Sequence, residues 1–482
     1  VKKMELEQFK NNFRDKTAIV IGLGRFGGGA GTVKFLSSIC RKVVVCDLKP
    51  PDEFKDILAQ LSTLNNVEFK FGEHKNEDFE NKDLIILNPS VMLDSDIYKW
   101  AQATGKPVFT EITLFFTLCK AKIVGVTGTL GKSTFCSALH NIINTHKQSE
   151  SFYPFRKCWL GGNIGGSLLK DLTDIEKNDL VILEISSFQL QYFQHNKLAP
   201  YISVVLNIYP DHLDKHKNFD EYINTKMNLV RYQEDEHFCI LNEDNENVTK
   251  FKEYTGAKIF GFSKVKKIKN GAYLENERIY FSTNGISQKV LNMGDIKNPF
   301  LHLDTILSLV AVSKILNITG ESILASINGY KNLLHRLEFV GEFEGRKFIN
   351  DSNATTPQAS IFGLEIIKAP KIIIAGGKNK NIDYSCLCEK LSKDAKAVIL
   401  IGETTPLFEQ LIKKFNNNAV ILKAVTLKEA VISAYNVSSG GDYIILSPGT
   451  SSFDMFANFA QRGEQFKKCI DEIFHGKLHR YS

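Results

Sequence analysis

Residues 125–134, GVTGTLGKST, decide how this chain is read. The stretch ends as a phosphate-binding loop ends, with Gly-Lys-Ser-Thr behind an apolar run, KIVGVTG at 122–128. Yet the usual pattern places a glycine five residues ahead of the glycine of Gly-Lys, and Val126 holds that position. Glycines stand instead at 125, 128 and 131. A strand running through such a turn into a helix still has what a phosphate cradle needs. Backbone N–H groups can close on oxygens, and a helix N-terminus adds partial positive charge. On that reading Gly128, Thr129 and Gly131 shape the cradle, Lys132 faces the β- and γ-phosphates, and the Ser133 hydroxyl is a ligand of Mg²⁺. The competing reading, a tight turn with a solvated lysine, leaves the three glycines unexplained.

Outward from this turn the same grammar repeats. TAIVIG at 17–22 reads as a strand, followed by the glycine turn GLGRFGGGAG (22–31), a helix to about Cys40 and a second strand, KVVVCD at 42–47. That is the βαβ opening of a doubly wound sheet, with Gly24 in the turn and Asp47 where dinucleotide folds keep a ribose-binding carboxylate. DLIILN (83–88) and KPVFT (106–110) continue it, and the unit closes near residue 117. The central segment has strands at LVILEI (180–185) and ISVVLNI (202–208) and a helix at LDTILSLVAVSKIL (303–316). Between 234 and 298 the polar sequence predicts surface strands and loops. After Asn332 the pattern restarts with RKFIND (346–351), KIIIAGG (371–377), AVILIG (397–402), AVILKA (419–424) and DYIILSPG (442–449). These continuous Ile/Val runs suit parallel strands covered on both faces. The expectation is three α/β domains: a Rossmann-like one at 1–117, a P-loop-like ATPase domain at 118–332 and a second Rossmann-like one at 333–482.

Two further places carry chemistry. Glu184 ends the strand LVILEI, in the crevice where ligands bind in parallel sheets, and reads as a second Mg²⁺ ligand. NIYPDHLDKH brings Asp211, His212, Asp214 and His216 to another strand's end; such side chains hold a hard cation and its waters, and the spacing is not that of zinc. Lys226, in the helical stretch DEYINTKMNLV, reads from spacing as a surface lysine.

Composition narrows the class. The 482 residues are 43% hydrophobic and 24% charged, ordinary for a soluble globular protein. A net charge of +6 without a dense Lys/Arg block points to small anionic ligands and away from nucleic acid. The start, VKKMELEQFKNNF, has no apolar signal region, and no run of eighteen apolar residues follows, so a cytoplasmic protein without membrane spans is expected. Nine scattered cysteines read as reduced thiols, with the lone Cys386-x-Cys388 too little for zinc.

GTLGKST, GGNIGG (161–166), EISSFQ (184–189), NIYPDHLD (207–214), LLHRLE (333–338), INDSNATTP (349–357), AGGKNK (375–380) and LSPGTSSFDMFANFAQRGEQF (446–466) occur in this order. Together they resemble the Mur ligases over all three domains, most closely the branch that adds D-glutamate to UDP-N-acetylmuramoyl-L-alanine. In that family the glycine turn has its own form, so Val126 is no defect. The resemblance implies that ATP phosphorylates the substrate's carboxylate, glutamate's amine attacks the acyl phosphate, and amide, ADP and phosphate result. It assigns Lys132, Ser133 and Thr134, with Glu184, to the phosphates and a first Mg²⁺. His212 and Lys226, the latter carbamylated, go to a second Mg²⁺. Asn163, Arg336 and Asp351 are assigned to ATP, with Lys380 a weaker phosphate or substrate candidate. The first domain is expected to take the UDP-sugar through Gly24, Arg25, Phe26, Asp47, Lys49 and Ser90. Ser452, Phe459 and Asn353 are expected at glutamate.

Two departures stand out. Asn353 occupies a place where the family often has lysine, which leaves an L-glutamate acceptor as the alternative. Leu303 and Ile306, after His302, replace asparagines expected near adenine. A single-chain protein is expected. A nicotinamide-dependent dehydrogenase would use only the first glycine turn and leave Gly125–Thr134, Glu184 and residues 211–216 without a role.

Overall fold

The computed structural model describes residues 4–24, 28–149, 155–211 and 215–474. They divide into two compact units, Val1–Asp295 with Leu303–Ile327, and Ile296–His302 with Asn328–Ser482.

The first unit holds two sheets. One is five-stranded and parallel: β1 (Thr17–Ile21), β2 (Lys42–Asp47), β3 (Val67–Phe71), β4 (Leu84–Leu87) and β5 (Val108–Phe109), in the order β3-β2-β1-β4-β5. Every residue of β1 and β4 is buried, as their unbroken apolar sequences require of strands covered on both faces. The order reverses between β1 and β4, and the chain leaves both strands there into turns at 22–24 and 88–91.

The second sheet has nine strands. They are β6 (Lys122–Thr127), β7 (Cys158–Gly162), β8 (Leu180–Glu184), β9 (Ile202–Val205), β10 (Phe238–Asn242), β11 (Lys258–Ser263), β12 (Gly271–Glu275), β13 (Arg278–Thr283) and β14 (Ile286–Asn292). The order is β14-β13-β12-β11-β10-β9-β6-β8-β7, parallel as far as β12, with β13 and β14 adding an antiparallel edge. β6 lies between β8 and β9, so the turn it feeds opens at the switch point of this sheet, where ligands bind. Strand β9 stops at Val205, short of the expected 208: Leu206 N still donates to Thr127 O (3.0 Å), and Leu206 and Asn207 then pack against Gly128 of the glycine turn. The surface strands expected between 234 and 298 prove to be one continuous extension of this sheet. Its hairpins turn on Asn276–Glu277 and Asn284–Gly285, all four at positive φ, the conformation two-residue hairpins favour.

The second unit carries β15 (Glu338–Phe343), β16 (Arg346–Asn350), β17 (Lys371–Gly376), β18 (Ala397–Ile401), β19 (Ile421–Lys423) and β20 (Tyr443–Leu446). The order β15-β16-β20-β17-β18-β19 is parallel apart from β15. Its two faces are buried under separate clusters, one around Phe348, Ile374 and Phe466, the other around Ile373, Leu400 and Phe408. The three α/β sheets match the architecture expected from the sequence. Helix Gly28–Ser37 ends before Cys40, and β19 is shorter than the expected 419–424.

Candidate active site

The glycine turn after β6 is held from below by a residue that sequence reasoning missed. Asn207 accepts from Leu130 N (2.8 Å) through Oδ1 and donates to Leu130 O (3.1 Å) through Nδ2, while its backbone carbonyl accepts from Thr129 N (2.9 Å). Gly131 sits at φ 80°, a conformation that excludes a side chain without strain. The chain then enters helix Lys132–Ser149. Lys132 Nζ folds back onto the carbonyls of Gly128 and Thr129, both at 2.9 Å. Ser133 Oγ donates to Glu184 Oε2 at 2.7 Å, and Asn163 Nδ2 donates to Glu184 Oε1 at 3.3 Å. Thus β6, β7 and β8 bring Ser133, Asn163 and Glu184 to one point. A buried carboxylate beside a hydroxyl at a helix N-terminus is a hard-oxygen set that suits Mg²⁺ completed by phosphate oxygens and water.

Lys226 corrects the spacing-based reading of a surface lysine. Helix Phe219–Met227 buries Tyr222, Ile223, Lys226 and Met227 along one stripe, and Lys226 is 2% exposed. Its ammonium donates to Thr127 Oγ1 (3.3 Å) and Gly128 O (3.1 Å) and lies 4.7 Å over the Tyr222 ring. Burial, reinforced by Lys132, drives its pKa well below the usual lysine value, against the pull of Asp211 and Glu184. The neighbouring cluster read at 211–216 is only partly within the described residues. His212 and Asp214 lie outside them. His216 is buried against Ser187 Oγ (3.2 Å), Phe188 and Tyr222. Among the described residues no group of three or more His, Cys, Asp or Glu is assembled to hold a metal.

A cavity of about 740 Å³ opens at the switch point of the first sheet. Gly22 and Gly24 after β1, Asp47 and Lys49 after β2, Asn88 to Val91 after β4, and Asn163, Phe188 and Gln189 from the central segment face it. The Asp47 carboxylate accepts from Leu23 N (2.8 Å) and Lys49 N (3.0 Å), so it shapes the glycine turn while lining the cavity. A Cβ on Gly29 would lie 2.0 Å from Leu23 O, which explains the glycine packed behind that turn. Lys49 pairs with Glu53 at 3.0 Å, and Ser90 Oγ donates to Asn88 Oδ1 at 2.7 Å. Arg25 and Phe26 lie outside the described residues.

Two cavity residues escaped the sequence reading. His74 is buried, and burial holds its imidazole below the usual value despite Asp78 and Asp47 nearby. Glu111 accepts from Ser167 Oγ at 2.7 Å, and burial pushes its carboxyl up to about 7. Neither stands in a motif, and only the folded sheet brings them to the cavity.

In the second unit the loops after β16 and β20 meet the start of helix Phe459–Phe474. Asn353 N donates to His335 O (3.0 Å), Ser352 Oγ donates to Phe459 O (2.8 Å), and the His335 and Phe459 rings meet edge-on at 6.2 Å. Arg462, 1% exposed, ties these loops together by donating to Ser352 Oγ (3.0 Å), Ser352 O (2.9 Å) and Thr450 O (3.2 Å). Ser452 is buried in the same loop. Asp351 accepts from Leu337 N (3.2 Å) and Ser447 Oγ (2.9 Å), and burial raises its pKa to about 7. Arg336 is part-exposed beside it and favours its ionised form. Lys380 donates its backbone N–H to Tyr384 OH at 3.0 Å.

A glycine turn with its lysine, a hydroxyl–carboxylate pair and a separate cavity define an α/β enzyme that handles nucleotide phosphates. Family comparison sharpens that class. Residues 16–110 match the Mur ligase MurD-like N-terminal domain, 126–319 the Mur ligase middle domain and 335–449 the Mur ligase glutamate ligase domain. The chain belongs to the Mur ligase family. It is 36% identical to the UDP-N-acetylmuramoylalanine--D-glutamate ligase of Thermoanaerobacter sp. (strain X514), over 95% of this chain and 99% of that one. It is 33% identical to the enzyme of the same name from Clostridium acetobutylicum, over 98% and 100%. Among solved structures, the UDP-N-acetylmuramate-alanine ligase MurC from Thermotoga maritima shares the fold, with a TM-score of 0.59 at 16% identity over 95% of this chain and 100% of that one.

Proposed function

We propose that this protein joins D-glutamate to the L-alanyl carboxylate of UDP-N-acetylmuramoyl-L-alanine, at the expense of ATP, in building peptidoglycan precursors. The single observation that carries the reading is the double place of Asn163. It lines the 740 Å³ cavity and also bonds Glu184, the partner of Ser133. An acid group at the end of a ligand in that cavity is thereby led to the phosphate turn. The relatives named above carry this activity in their names.

The physical problem is charge. Two unit charges 4 Å apart repel by about 4 kcal/mol at an effective dielectric of 20, and a triphosphate facing a carboxylate sets several such pairs against each other. Lys132 is placed to exchange its carbonyl partners for phosphate oxygens. Mg²⁺ held by Ser133 and Glu184 would neutralise phosphate charge and polarise the phosphoryl group. Burial lowers the pKa of Lys226 and so eases its conversion to the neutral amine, the form that takes up carbon dioxide, which supports carbamylation of Lys226 beside a second ion shared with His212. Thr134 and Asn163 complete the ATP side, and Arg336 and Asp351 are assigned to ATP by resemblance. For glutamate we assign Ser452, Phe459 and Asn353, and for the UDP-sugar Gly24, Arg25, Phe26, Asp47, Lys49 and Ser90. The domains are taken as 1–117, 118–332 and 333–482, in a monomeric cytoplasmic enzyme. No described helix is long and apolar enough to cross a membrane.

The test is phosphate release from ATP with UDP-N-acetylmuramoyl-L-alanine and either enantiomer of glutamate. Release that depends on the D form is expected. Release with the L form alone would move the acceptor, in keeping with uncharged Asn353, and none with either would overturn the reading.

A further inference from the structure

The turn Asn88–Val91 forms part of the cavity wall, and its conformation is closed from within. Val91 N donates to Asn88 O (3.0 Å), Asn88 Oδ1 accepts from Ser90 N (3.0 Å) and Ser90 Oγ (2.7 Å), and Asn88 N donates to Ile21 O (2.8 Å). The carbonyls of Pro89 and Val91 point away from this network. Gln191 Nε2 donates to Pro89 O (2.8 Å) and Val91 O (3.3 Å), and Tyr192 OH donates to Val91 O (2.6 Å). Both side chains are buried, and the Tyr192 ring meets Tyr98 edge-on at 6.0 Å. Burial raises the Tyr192 phenol, so it remains a donor at any working pH.

The donors come from the segment that follows β8. Two residues after Glu184, Ser186 starts a short helix through a reciprocal cap: Gln189 N donates to Ser186 Oγ (3.3 Å), and Ser186 N donates to Gln189 Oε1 (2.9 Å). One face of this segment presents Phe188 and Gln189 to the cavity. The other holds the turn through Gln191 and Tyr192. We propose that Gln191 and Tyr192 are positioning residues for the sugar nucleotide: they register the Asn88–Ser90 wall of its cavity against the strand end that bears Glu184. A primary amide suits the task, because one nitrogen carries two N–H groups and can serve two carbonyls at once. The inference rests on the cavity being the sugar-nucleotide site.

Calorimetry on the full chain, with UDP-N-acetylmuramoyl-L-alanine and ATP as separate titrants, tests it on Gln191→Leu and the conservative Tyr192→Phe. Loss of two buried donors is expected to weaken the sugar nucleotide about 5- to 30-fold in Gln191→Leu, and loss of one about 3- to 10-fold in Tyr192→Phe. ATP affinity should stay within about twofold, and KM for the sugar nucleotide should rise while kcat holds. A merely structural role would lower the melting temperature and leave both affinities unchanged, or weaken both alike, and either result overturns the proposal. If the parent protein itself fails to bind the sugar nucleotide, the cavity reading falls instead. If Gln191→Leu does not fold, Tyr192→Phe decides alone, since its ring still fills the core.

Discussion

Asn207→Ala should cripple ATP binding without touching a group that contacts phosphate. The side chain makes two hydrogen bonds to Leu130, at 2.8 and 3.1 Å, inside the glycine turn. The backbone bond from Thr129 N to Asn207 O survives the substitution. Each lost bond is worth about 0.5–1.5 kcal/mol, and leaving a partner unsatisfied costs about 1–3 kcal/mol more where water cannot reach it. A loss of about 2–4 kcal/mol falls on the shape of the turn, because Asn207 grips only that loop. At about 1.4 kcal/mol per decade this weakens ATP about 30- to 700-fold. Asn207→Asp keeps an acceptor for Leu130 N but sets a carboxylate against Leu130 O, so it should lose at least half as much. Titration of ATP by calorimetry, with the sugar nucleotide as control ligand, reads the effect. ATP affinity in Asn207→Ala within threefold of the parent would refute the view that this side chain sets the cradle.

Lys226→Met should abolish phosphate release and yet leave the melting temperature level or a few degrees higher, because it removes a polar group whose burial is costly among neutral partners; a fall of more than about five degrees would show that the lysine is structural. Asp351, raised to about 7, holds a proton in the folded state that the unfolded chain releases near 4, so stability should fall as pH rises through roughly 4–7, by up to about 1.4 kcal/mol per unit, and level off above. Chemical denaturation of Asp351→Asn across that range should lack this slope, and an unchanged slope would place it elsewhere. Arg462→Lys should destabilise the second unit by about 2–4 kcal/mol, since an ammonium cannot reproduce the planar fork that spans Ser352 and Thr450; a denaturation midpoint equal to the parent's would count against that tie.

The parallel strands were legible because both faces are buried, so unbroken Ile/Val runs betray them. The turn at 125–134 was legible because phosphate binding by backbone needs glycine at fixed steps. Lys226 was not: a lysine inside a polar-looking helix carries no mark of burial, and only Tyr222, Ile223 and Met227 around it make the stripe visible once the helix packs. Asn207 lay in plain view at the end of an apolar run but read as the strand's last residues, since nothing local says that the chain leaves the sheet at Val205. The antiparallel edge had a signal that went unread, Asn284–Gly285 between two alternating runs. His74 and Glu111 had none, because each reaches the cavity through strand order, which a single sequence does not display.

The charge pattern around Gly128 suits the turn to an anion. Lys132 and Lys226 both donate to the carbonyl of Gly128, at 2.9 and 3.1 Å, so two lysine nitrogens converge on one carbonyl oxygen. Their mutual repulsion is among the causes that depress the pKa of Lys226. Asp211 and Glu184 oppose that shift, and the two oxygens of Glu184 accept from Ser133 and Asn163. Lys132 and the N-terminus of helix Lys132–Ser149 give the turn its positive character. A carbonyl is a weaker partner for an ammonium than a phosphate oxygen, because it offers a dipole where phosphate offers a full opposite charge. An arriving phosphate should thus draw Lys132 off the turn and gain the helix dipole in one movement. At the first glycine turn the Asp47 carboxylate accepts from the Leu23 and Lys49 backbone N–H groups. The two glycine turns look alike as sequence, and Lys132 folded over the second one supports the proposal that the triphosphate binds there.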